Sequence, residues 1–287
     1  MALASRVMTE KVCMITGSNT GIGKVTALEL AKMGATVVMV TRKSAPGEPS
    51  PLDTQIEIKK ISHNNNVDVL FCDLSLQQSI YQLVQEFEKK YNKLHVLINN
   101  AAVLPQKRIV TPDGLELQCA VNLLAPFLLT NLLLGMLKAS APARIINVTS
   151  AMHRFAKIDF SNLQAEKRYA THPVYNQTKL GIVLLTYELA RILKDTGVTV
   201  NCLHPGKTAT AITREKPWFV RLIANLIFKS PKKGAATSIY LASSPEVEGV
   251  SGKYFVNCRE ARSATRAHDE QLAQKLWGHC AKLTGLA

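Results

Sequence analysis

The sequence lacks the cysteine spacings of disulfide-rich and zinc-binding proteins. Its 287 residues include six cysteines, none of them in a CxxC pair, and no set of cysteines and histidines has the spacing of a zinc site. Cys13, Cys72 and Cys202 lie inside apolar runs, where a thiol usually serves as a small buried hydrophobic group. We therefore expect no disulfide, no metal site and a reducing compartment.

Acidic residues are few relative to basic ones. Lysine and arginine number 35 against 21 aspartates and glutamates, which gives a formal net charge of +14. Such an excess suits nucleic acid, an anionic membrane surface or an anionic ligand. No basic–aromatic motif or DNA-reading helix pattern accompanies it, so we predict no nucleic-acid partner. A phosphate-bearing cofactor accounts for part of the excess positive charge. The sequence does not decide between a monomer and a homodimer.

The N-terminal region lacks a long apolar run. It reads MALASRVMTEKVCMITG and predicts neither a signal peptide nor a membrane-spanning anchor. We expect a cytoplasmic protein and leave peripheral contact with a membrane surface open. With 47% hydrophobic residues and no excess of glycine or proline, the chain can form one large core.

Apolar runs of strand length alternate with longer helical patterns. This alternation predicts one α/β domain over residues 1–287, a Rossmann-type doubly wound parallel sheet between two helical layers. Ligands of such sheets bind beyond the carboxyl ends of the strands. Ser44–Pro51 is predicted as a loop. The predicted strands are Lys11–Thr16, Ala35–Val40, Val67–Cys72, Val96–Asn99, Arg144–Thr149, Val198–Leu203 and Tyr254–Val256, and the predicted helices are Ile22–Met33, Ser75–Tyr91 with Ser75 as N-cap, Leu115–Leu137 and Val174–Lys194.

A glycine-rich turn, TGSNTGIG, occupies residues 16–23 between the first strand and the first helix. Glycines let the backbone turn sharply and approach a pyrophosphate, which would lie at the free N–H groups of the helix N-terminus. The flanking strand and helix favour this interpretation over an ordinary tight loop. The candidates for cofactor binding here are Gly17, Ser18, Asn19, Thr20, Gly21, Ile22 and Gly23.

The second strand ends without an acidic residue. An Asp or Glu there would bind the ribose 2′-hydroxyl of NAD, whereas this chain has Arg42 and Lys43. The guanidinium of arginine is a planar donor fork that suits phosphate oxygens. The pair therefore predicts NADP(H) rather than NAD(H), with a solvated basic pair as the alternative.

Tyr175 and Lys179 stand four residues apart in a predicted helix and so share one face. A free tyrosine has a pKa of about 10 and is a poor base near neutral pH. A neighbouring cation favours the phenolate, so Lys179 is expected to lower the pKa of Tyr175. The spacing alone also fits an exposed polar stripe, but its occurrence with the glycine turn favours catalysis.

These motifs together resemble the short-chain dehydrogenase/reductase family, whose glycine turn reads TGxxxGxG and whose active site carries YxxxK. The resemblance covers about residues 11–210 and implies an oxidoreductase with a nicotinamide cofactor. It adds matches at Asp73-Leu74 after the third strand, Asn99-Asn100-Ala101-Ala102 after the fourth, Ser150 after the fifth, Pro205 and Gly206 with Thr208 and Thr210 after the sixth, and Asn122 in the long helix.

The resemblance implies roles for these residues. Tyr175 would protonate a developing alkoxide, and Ser150 would donate a second hydrogen bond to the same oxygen. Lys179 would also hold the nicotinamide ribose, and Asn122 would support a water that links the lysine to solvent. Further cofactor contacts are implied at Asp73, Leu74, Asn99, Ala101, Tyr175, Lys179, Pro205, Gly206, Thr208 and Thr210.

Several segments are similar to the retinol dehydrogenase-like branch of that family. They are NTGIGK at 19–24, LHVLINN at 94–100, SAPAR at 140–144, LQAEKRY at 163–169 and SGKYF at 251–255. The branch implies a lipophilic carbonyl or alcohol substrate of retinoid, steroid or lipid type. Two features depart from it: Ala102 replaces a usual glycine, and the hydrophobic N-terminal anchor of many members is missing.

The resemblance implies that residues 207–233 form a substrate lid. Their centre, Pro217–Phe228, is strongly apolar, and lysines flank it. A membrane-facing surface and an ordinary core helix are the alternatives, and the run is too short to span a bilayer.

Two other functions are weighed. A cofactor-binding regulatory module with little turnover would be favoured by loss of Ser150, Tyr175 or Lys179, all of which are present. Epimerases and dehydratases of the extended relatives usually carry a TGxxGxxG turn, which this chain lacks.

Overall fold

A computed structural model describes residues 7–206 and 231–286, and one eight-stranded sheet crosses the described part of the chain. The strand order is β3-β2-β1-β4-β5-β6-β7-β8, and all pairs are parallel except β7 with β8. The strands are β1 (Val12–Thr16), β2 (Thr36–Thr41), β3 (Val67–Phe71), β4 (Val96–Asn99), β5 (Ala143–Val148), β6 (Val198–His204), β7 (Lys253–Val256) and β8 (Arg259–Glu260).

Helices cover both faces of the sheet, which confirms the predicted three-layer, doubly wound fold. One face packs against α1, α2 and α6, and the other against α3, α4 and α5, while α7 packs on α5. The helices are α1 (Gly21–Lys32), α2 (Pro51–Ser62), α3 (Gln77–Lys90), α4 (Leu117–Ala139, π-helical at Ala120–Leu124), α5 (Thr171–Ile192), α6 (Pro231–Ser243) and α7 (Glu270–Thr284).

The central strands are apolar because the sheet is covered on both faces. β2 reads TVVMVT, and its last five residues are all buried. Cys13, Cys72 and Cys202 are buried as predicted, and all six cysteines are free thiols. Burial raises the pKa of Cys13 and of Cys202 to about 12, so these thiols stay protonated and serve as packing groups.

One helix among the described residues is long and apolar enough to cross a membrane. This helix is α4, and 67% of its most apolar stretch is buried inside the protein. Its leucines pack against the sheet and α3 in one large apolar cluster.

The sequence analysis missed α2 and α7, although both carry terminal signals. Ser50 caps α2 by accepting the Asp53 N–H at 3.3 Å, and the proline that was assigned to a loop occupies the first turn. In α7, the Asp269 side chain accepts the Leu272 N–H at 2.9 Å, and Gly285 ends the helix at a φ of 67°. α6 was not predicted either.

The prediction of Ser75 as the N-cap of α3 is wrong. The helix begins two residues later, at Gln77, and the Ser75 hydroxyl donates to the Asp73 carboxylate at 2.7 Å. The Gln77 N–H instead donates to the Asp113 carboxylate at 2.7 Å, 36 residues along the chain. A distant carboxylate therefore caps the helix, and local sequence could not reveal it.

Leu276 tests whether α7 belongs to the cooperative core, since this side chain is fully buried against α5. We expect Leu276→Ala to lower the free energy of unfolding by about 2–5 kcal/mol, because it removes buried methyl groups and leaves a cavity. The control is Gln274→Ala at an exposed position two residues away, expected to change stability by less than about 0.5 kcal/mol. Equal denaturation midpoints for the two variants would show that α7 does not fold with the sheet.

Candidate active site at the carboxyl ends of the strands

The glycine turn between β1 and α1 is tightly packed against its surroundings. Gly17 and Gly21 have φ values of +64° and +60°, a region that disfavours side chains. A Cβ at Gly23 would lie 2.3 Å from the Gly17 carbonyl oxygen, and one at Gly17 would lie 2.9 Å from the Ala101 Cα. Glycine is therefore required at positions 17 and 23 for the turn to close.

Asn100 holds this turn in place, a role that sequence reasoning missed. Its side-chain amide donates to the carbonyl oxygens of Thr16 at 2.8 Å and Gly17 at 3.2 Å. The Thr16 hydroxyl in return accepts the N–H groups of Asn100 at 2.9 Å and Ala101 at 3.1 Å. The ends of β1 and β4 are thereby joined. The NNAA motif was the available signal, but its first and third residues were chosen.

The turn fits the phosphates of a dinucleotide. The first turn of α1 has no side-chain cap, so its N–H groups are available to an anion. A Cβ at Gly21 would meet nothing within 4 Å, which leaves open space beside those groups. The buried Oδ1 of Asn19 also has no partner among the described residues.

Other predicted residues of the turn face inward. The buried Ser18 hydroxyl donates to the Ile15 carbonyl at 3.0 Å, and Ile22 is buried in the core. Thr20 is extended and precedes α1 without a side-chain cap bond. For Ser18 and Ile22, only the main chain is placed to face a cofactor.

Arg42 and Lys43 follow β2 with exposed side chains, at the strand end where the sequence predicts a 2′-phosphate contact. Nη2 of Arg42 lies 2.8 Å from Oε1 of Glu48, in the loop before α2. The buried hydroxyl of Thr41, the last residue of β2, has no partner among the described residues.

Two further strand ends also carry predicted contacts. Asp73, after β3, is exposed and accepts the N–H and hydroxyl of Ser75, while Leu74 is half-buried. Asn99 ends β4 but points inward, where its amide donates to Thr130 at 3.0 Å and to Asn147 at 2.8 Å. Its side chain ties β4 to α4 and β5, which leaves its main chain for the predicted contact.

Ser150, Tyr175 and Lys179 come together beyond the carboxyl end of β5. Ser150 lies two residues after β5, and its side chain forms a hydrogen bond with the half-buried Tyr175 of α5. Lys179 is buried one turn further along α5, with Nζ 5.6 Å from the centre of the Tyr175 ring. The structure thus brings together the three residues with which the sequence predicts proton transfer.

The prediction that Lys179 lowers the pKa of Tyr175 is wrong for the site as described. Burial raises the pKa of Tyr175 to about 12, and the hydrogen bond with Ser150 opposes only part of that rise. Burial also lowers the pKa of Lys179 to about 8. The ammonium donates to the Val148 carbonyl at 3.1 Å, so its charge is directed at the end of β5. At neutral pH the phenol therefore keeps its proton.

Asn122 lies in the π-helical stretch of α4 and is buried. Its amide oxygen accepts the Val103 N–H at 2.8 Å, and its amide nitrogen donates to the Val103 carbonyl at 3.0 Å. This two-way bond fixes the segment after β4 beside α5, where Thr178 lies 3.5 Å from the same nitrogen. π-helical insertions of this kind are frequent at functional sites.

His153 was missed by the sequence analysis, and no motif marked it. Its ring is fully buried, with Nε2 accepting the Ala264 N–H at 3.0 Å and Nδ1 2.6 Å from the Ser150 carbonyl oxygen. Because Nε2 accepts, the neutral ring carries its proton on Nδ1 and donates it to Ser150. Burial lowers the pKa of His153, which maintains this neutral form and fixes the backbone of the serine.

The remaining predicted residues follow β6. Pro205 and Gly206 are half-buried, and Gly206 has a φ of +86°. Thr208 and Thr210 lie outside the described residues, as does the predicted lid except for its last three residues, which begin α6.

A doubly wound parallel sheet with a glycine turn after its first strand defines a nucleotide-binding protein of the Rossmann class. The sequence profile of the short chain dehydrogenase family matches residues 11–218. Retinol dehydrogenase 14 from Homo sapiens is 42% identical and covers 98% of this chain and 88% of its own length. Retinol dehydrogenase 13 from Mus musculus is 43% identical, and the match covers 96% of this chain and 84% of that protein. Polyprenol dehydrogenase from Homo sapiens is 39% identical, and the match covers 96% of this chain and 86% of that protein.

Solved structures agree with this fold. An uncharacterized protein from Mycobacterium Paratuberculosis superposes with a TM-score of 0.73 at 28% identity, covering 96% of this chain and 94% of its own. A short chain dehydrogenase from Shigella flexneri, complexed with NADP, gives a TM-score of 0.71 at 21% identity, with coverages of 89% and 100%.

The chain belongs to the short chain dehydrogenase family and is similar to its retinol dehydrogenase members. It is therefore an oxidoreductase of alcohol and carbonyl groups from a family that binds NAD(P)(H).

The buried Lys179 makes a testable contribution to stability. Its pKa falls from an ordinary 10.5 to about 8, so between these values the unfolded chain binds a proton that the folded protein has lost. Stability from this group therefore rises with pH across that interval, by on the order of 3 kcal/mol at most, and is constant below it.

We expect the unfolding free energy of the unmodified protein, minus that of Lys179→Met, to increase between pH 8 and 10.5. The subtraction removes the titration of cysteines and tyrosines. Lys89→Met at an exposed position is the control for loss of a lysine. A difference for Lys179→Met that does not change with pH, or that changes no more than the difference for Lys89→Met, would contradict the burial of its charge. Denaturant unfolding at several pH values provides the measurement.

Proposed function

We propose that the protein is an NADP(H)-dependent oxidoreductase that interconverts a lipophilic aldehyde or ketone and its alcohol, with Tyr175 as the proton donor and acceptor. The observation that carries the proposal is the meeting of Ser150, Tyr175 and Lys179 beyond β5. They lie at the same end of the sheet as the glycine turn, because the carboxyl ends of parallel strands all lie on one side. A regulatory module would not need this buried arrangement.

The chemistry divides between the cofactor and the chain. NADPH, when bound, supplies the hydride, and the protein handles the proton. Tyr175 is protonated at neutral pH because burial raises its pKa to about 12, so it can donate to an alkoxide. Ser150 donates a hydrogen bond to the same oxygen, and His153 keeps the serine in position.

The binding residues are proposed as the sequence predicts them. The N–H groups of the glycine turn and of the first turn of α1 would hold the pyrophosphate, and Arg42 and Lys43 the 2′-phosphate. Lys179, with Nζ near Tyr175, would bind the nicotinamide ribose.

A lipophilic substrate is supported by the relatives and by the surface next to Ser150. Two of the relatives are named for retinol and polyprenol, both apolar alcohols. In this chain Met152 and Phe155 follow the serine, with exposed fractions of 37% and 77%. Exposed apolar side chains beside a catalytic group suit an apolar ligand. We propose a cytoplasmic location with contact at a membrane surface, where such substrates accumulate.

Replacing Tyr175 by Phe tests the mechanism, because it keeps the ring and removes the proton donor. We expect turnover of a lipophilic aldehyde with NADPH to fall at least about 100-fold. Binding of NADPH, measured by fluorescence titration, should persist. Tyr91→Phe is the matched control: its hydroxyl lies at the end of α3 and donates to the Asp68 carboxylate in β3, outside the site. Undiminished turnover by the Tyr175 variant would show that Tyr175 is not the proton donor, and a cofactor-binding regulatory module would again be an alternative function.

Replacing Arg42 by Ala tests the choice of cofactor. The variant should bind NADPH at least about 10-fold more weakly while NADH affinity changes little, because only NADPH carries the 2′-phosphate. Arg259→Ala, an exposed arginine in β8 at the opposite edge of the sheet, controls for lost charge. Equal affinities of the unmodified protein for NADPH and NADH would reject the NADP(H) assignment.

A further inference from the structure

We propose that Glu48 sets how strongly the site distinguishes NADPH from NADH, by occupying the donors that a 2′-phosphate would use. The inference rests on the NADP(H) assignment made above. Glu48 is then a specificity-determining residue, although it lies in none of the motifs identified from the sequence.

Both carboxylate oxygens of Glu48 have defined partners. Oε1 lies 2.8 Å from Nη2 of Arg42, and Oε2 accepts the Ala45 N–H at 3.2 Å. A guanidinium and a backbone N–H are together the donor set with which proteins hold phosphate oxygens. The Glu48 carboxylate therefore occupies, at the end of β2, donors that could hold a phosphate group.

The loop holds Glu48 in this position. The Glu48 N–H donates to the Ala45 carbonyl at 3.0 Å and closes a four-residue turn, in which Gly47 has a φ of +81°. The next carbonyl, that of Pro49, accepts the Ser44 hydroxyl and the Asn19 amide, each at 2.6 Å. Because Asn19 belongs to the glycine turn, the loop is attached to both parts of the cofactor site.

The energetic consequence is modest and has a definite sign. The Arg42 side chain is 69% exposed, so water screens its pair with Glu48 and a phosphate can displace the carboxylate. NADPH must break this pair to reach Arg42, whereas NADH leaves it intact. The Arg42–Glu48 pair thus weakens the binding of NADPH, but not of NADH, by about two- to fivefold, the range expected for an exposed ion pair.

The experiment measures dissociation constants of NADPH and NADH by fluorescence titration for the full chain and for Glu48→Gln. The variant should bind NADPH about two- to fivefold more tightly and NADH with unchanged affinity. Glu57→Gln is the matched control, because it removes the same charge from α2, where Glu57 pairs with Lys24 at 2.7 Å. The NADPH/NADH ratio of this control should not change.

The double variant Arg42→Ala/Glu48→Gln separates displacement from simple repulsion. When compared with Arg42→Ala alone, it should bind NADPH equally well, since no pair is left to break. An equal gain with and without Arg42 would overturn the proposal and leave only general charge repulsion. Unchanged NADPH binding by Glu48→Gln would overturn it too. If the unmodified protein shows no preference and Arg42→Ala changes nothing, the NADP(H) assignment itself fails, a result distinct from these two.

Discussion

The pairing of β1 with β4 is the contact on which the candidate site depends. Here the strand order reverses direction, with β2 and β3 to one side and β5 to β8 to the other. In doubly wound sheets, ligands bind beyond the strand ends at this reversal. Thr16 and Asn100 join the ends of β1 and β4 with four hydrogen bonds, so the glycine turn is held by the neighbouring strand as well as by its own backbone.

Burial, more than pairing of charges, sets the ionisation of the candidate catalytic side chains. Tyr175 and Lys179 share a helix face, yet burial raises the pKa of Tyr175 to about 12 and lowers that of Lys179 to about 8, and so favours the neutral form of each. A protonated phenol suits reduction, in which the alkoxide takes its proton. Oxidation needs the phenolate, and Lys179 then has to supply a positive charge that its own burial disfavours.

Much of the fold could be predicted from the sequence because periodicity and motifs act locally. The apolar run of β2 and the glycine turn depend on neighbouring residues alone, and both were found. α7 has equally local caps, at Asp269 and Gly285, but no motif drew attention to it. The prediction of the N-terminus of α3 failed for another reason, because its capping carboxylate, Asp113, lies 36 residues further along the chain. The roles of Glu48 and His153 likewise depend on where loops pack.

Ser150, the candidate catalytic serine, shows how far such long-range dependence extends. Ser150 is identified by its place after β5, but its backbone is held by His153, and that ring is fixed by the Ala264 N–H, 111 residues further along the chain. The ring also packs edge-on against Tyr254 in β7, at 5.0 Å between ring centres. A substitution near Ala264 would therefore act on Ser150 without touching any motif. The described C-terminal region is on this argument part of what positions the candidate proton-transfer groups.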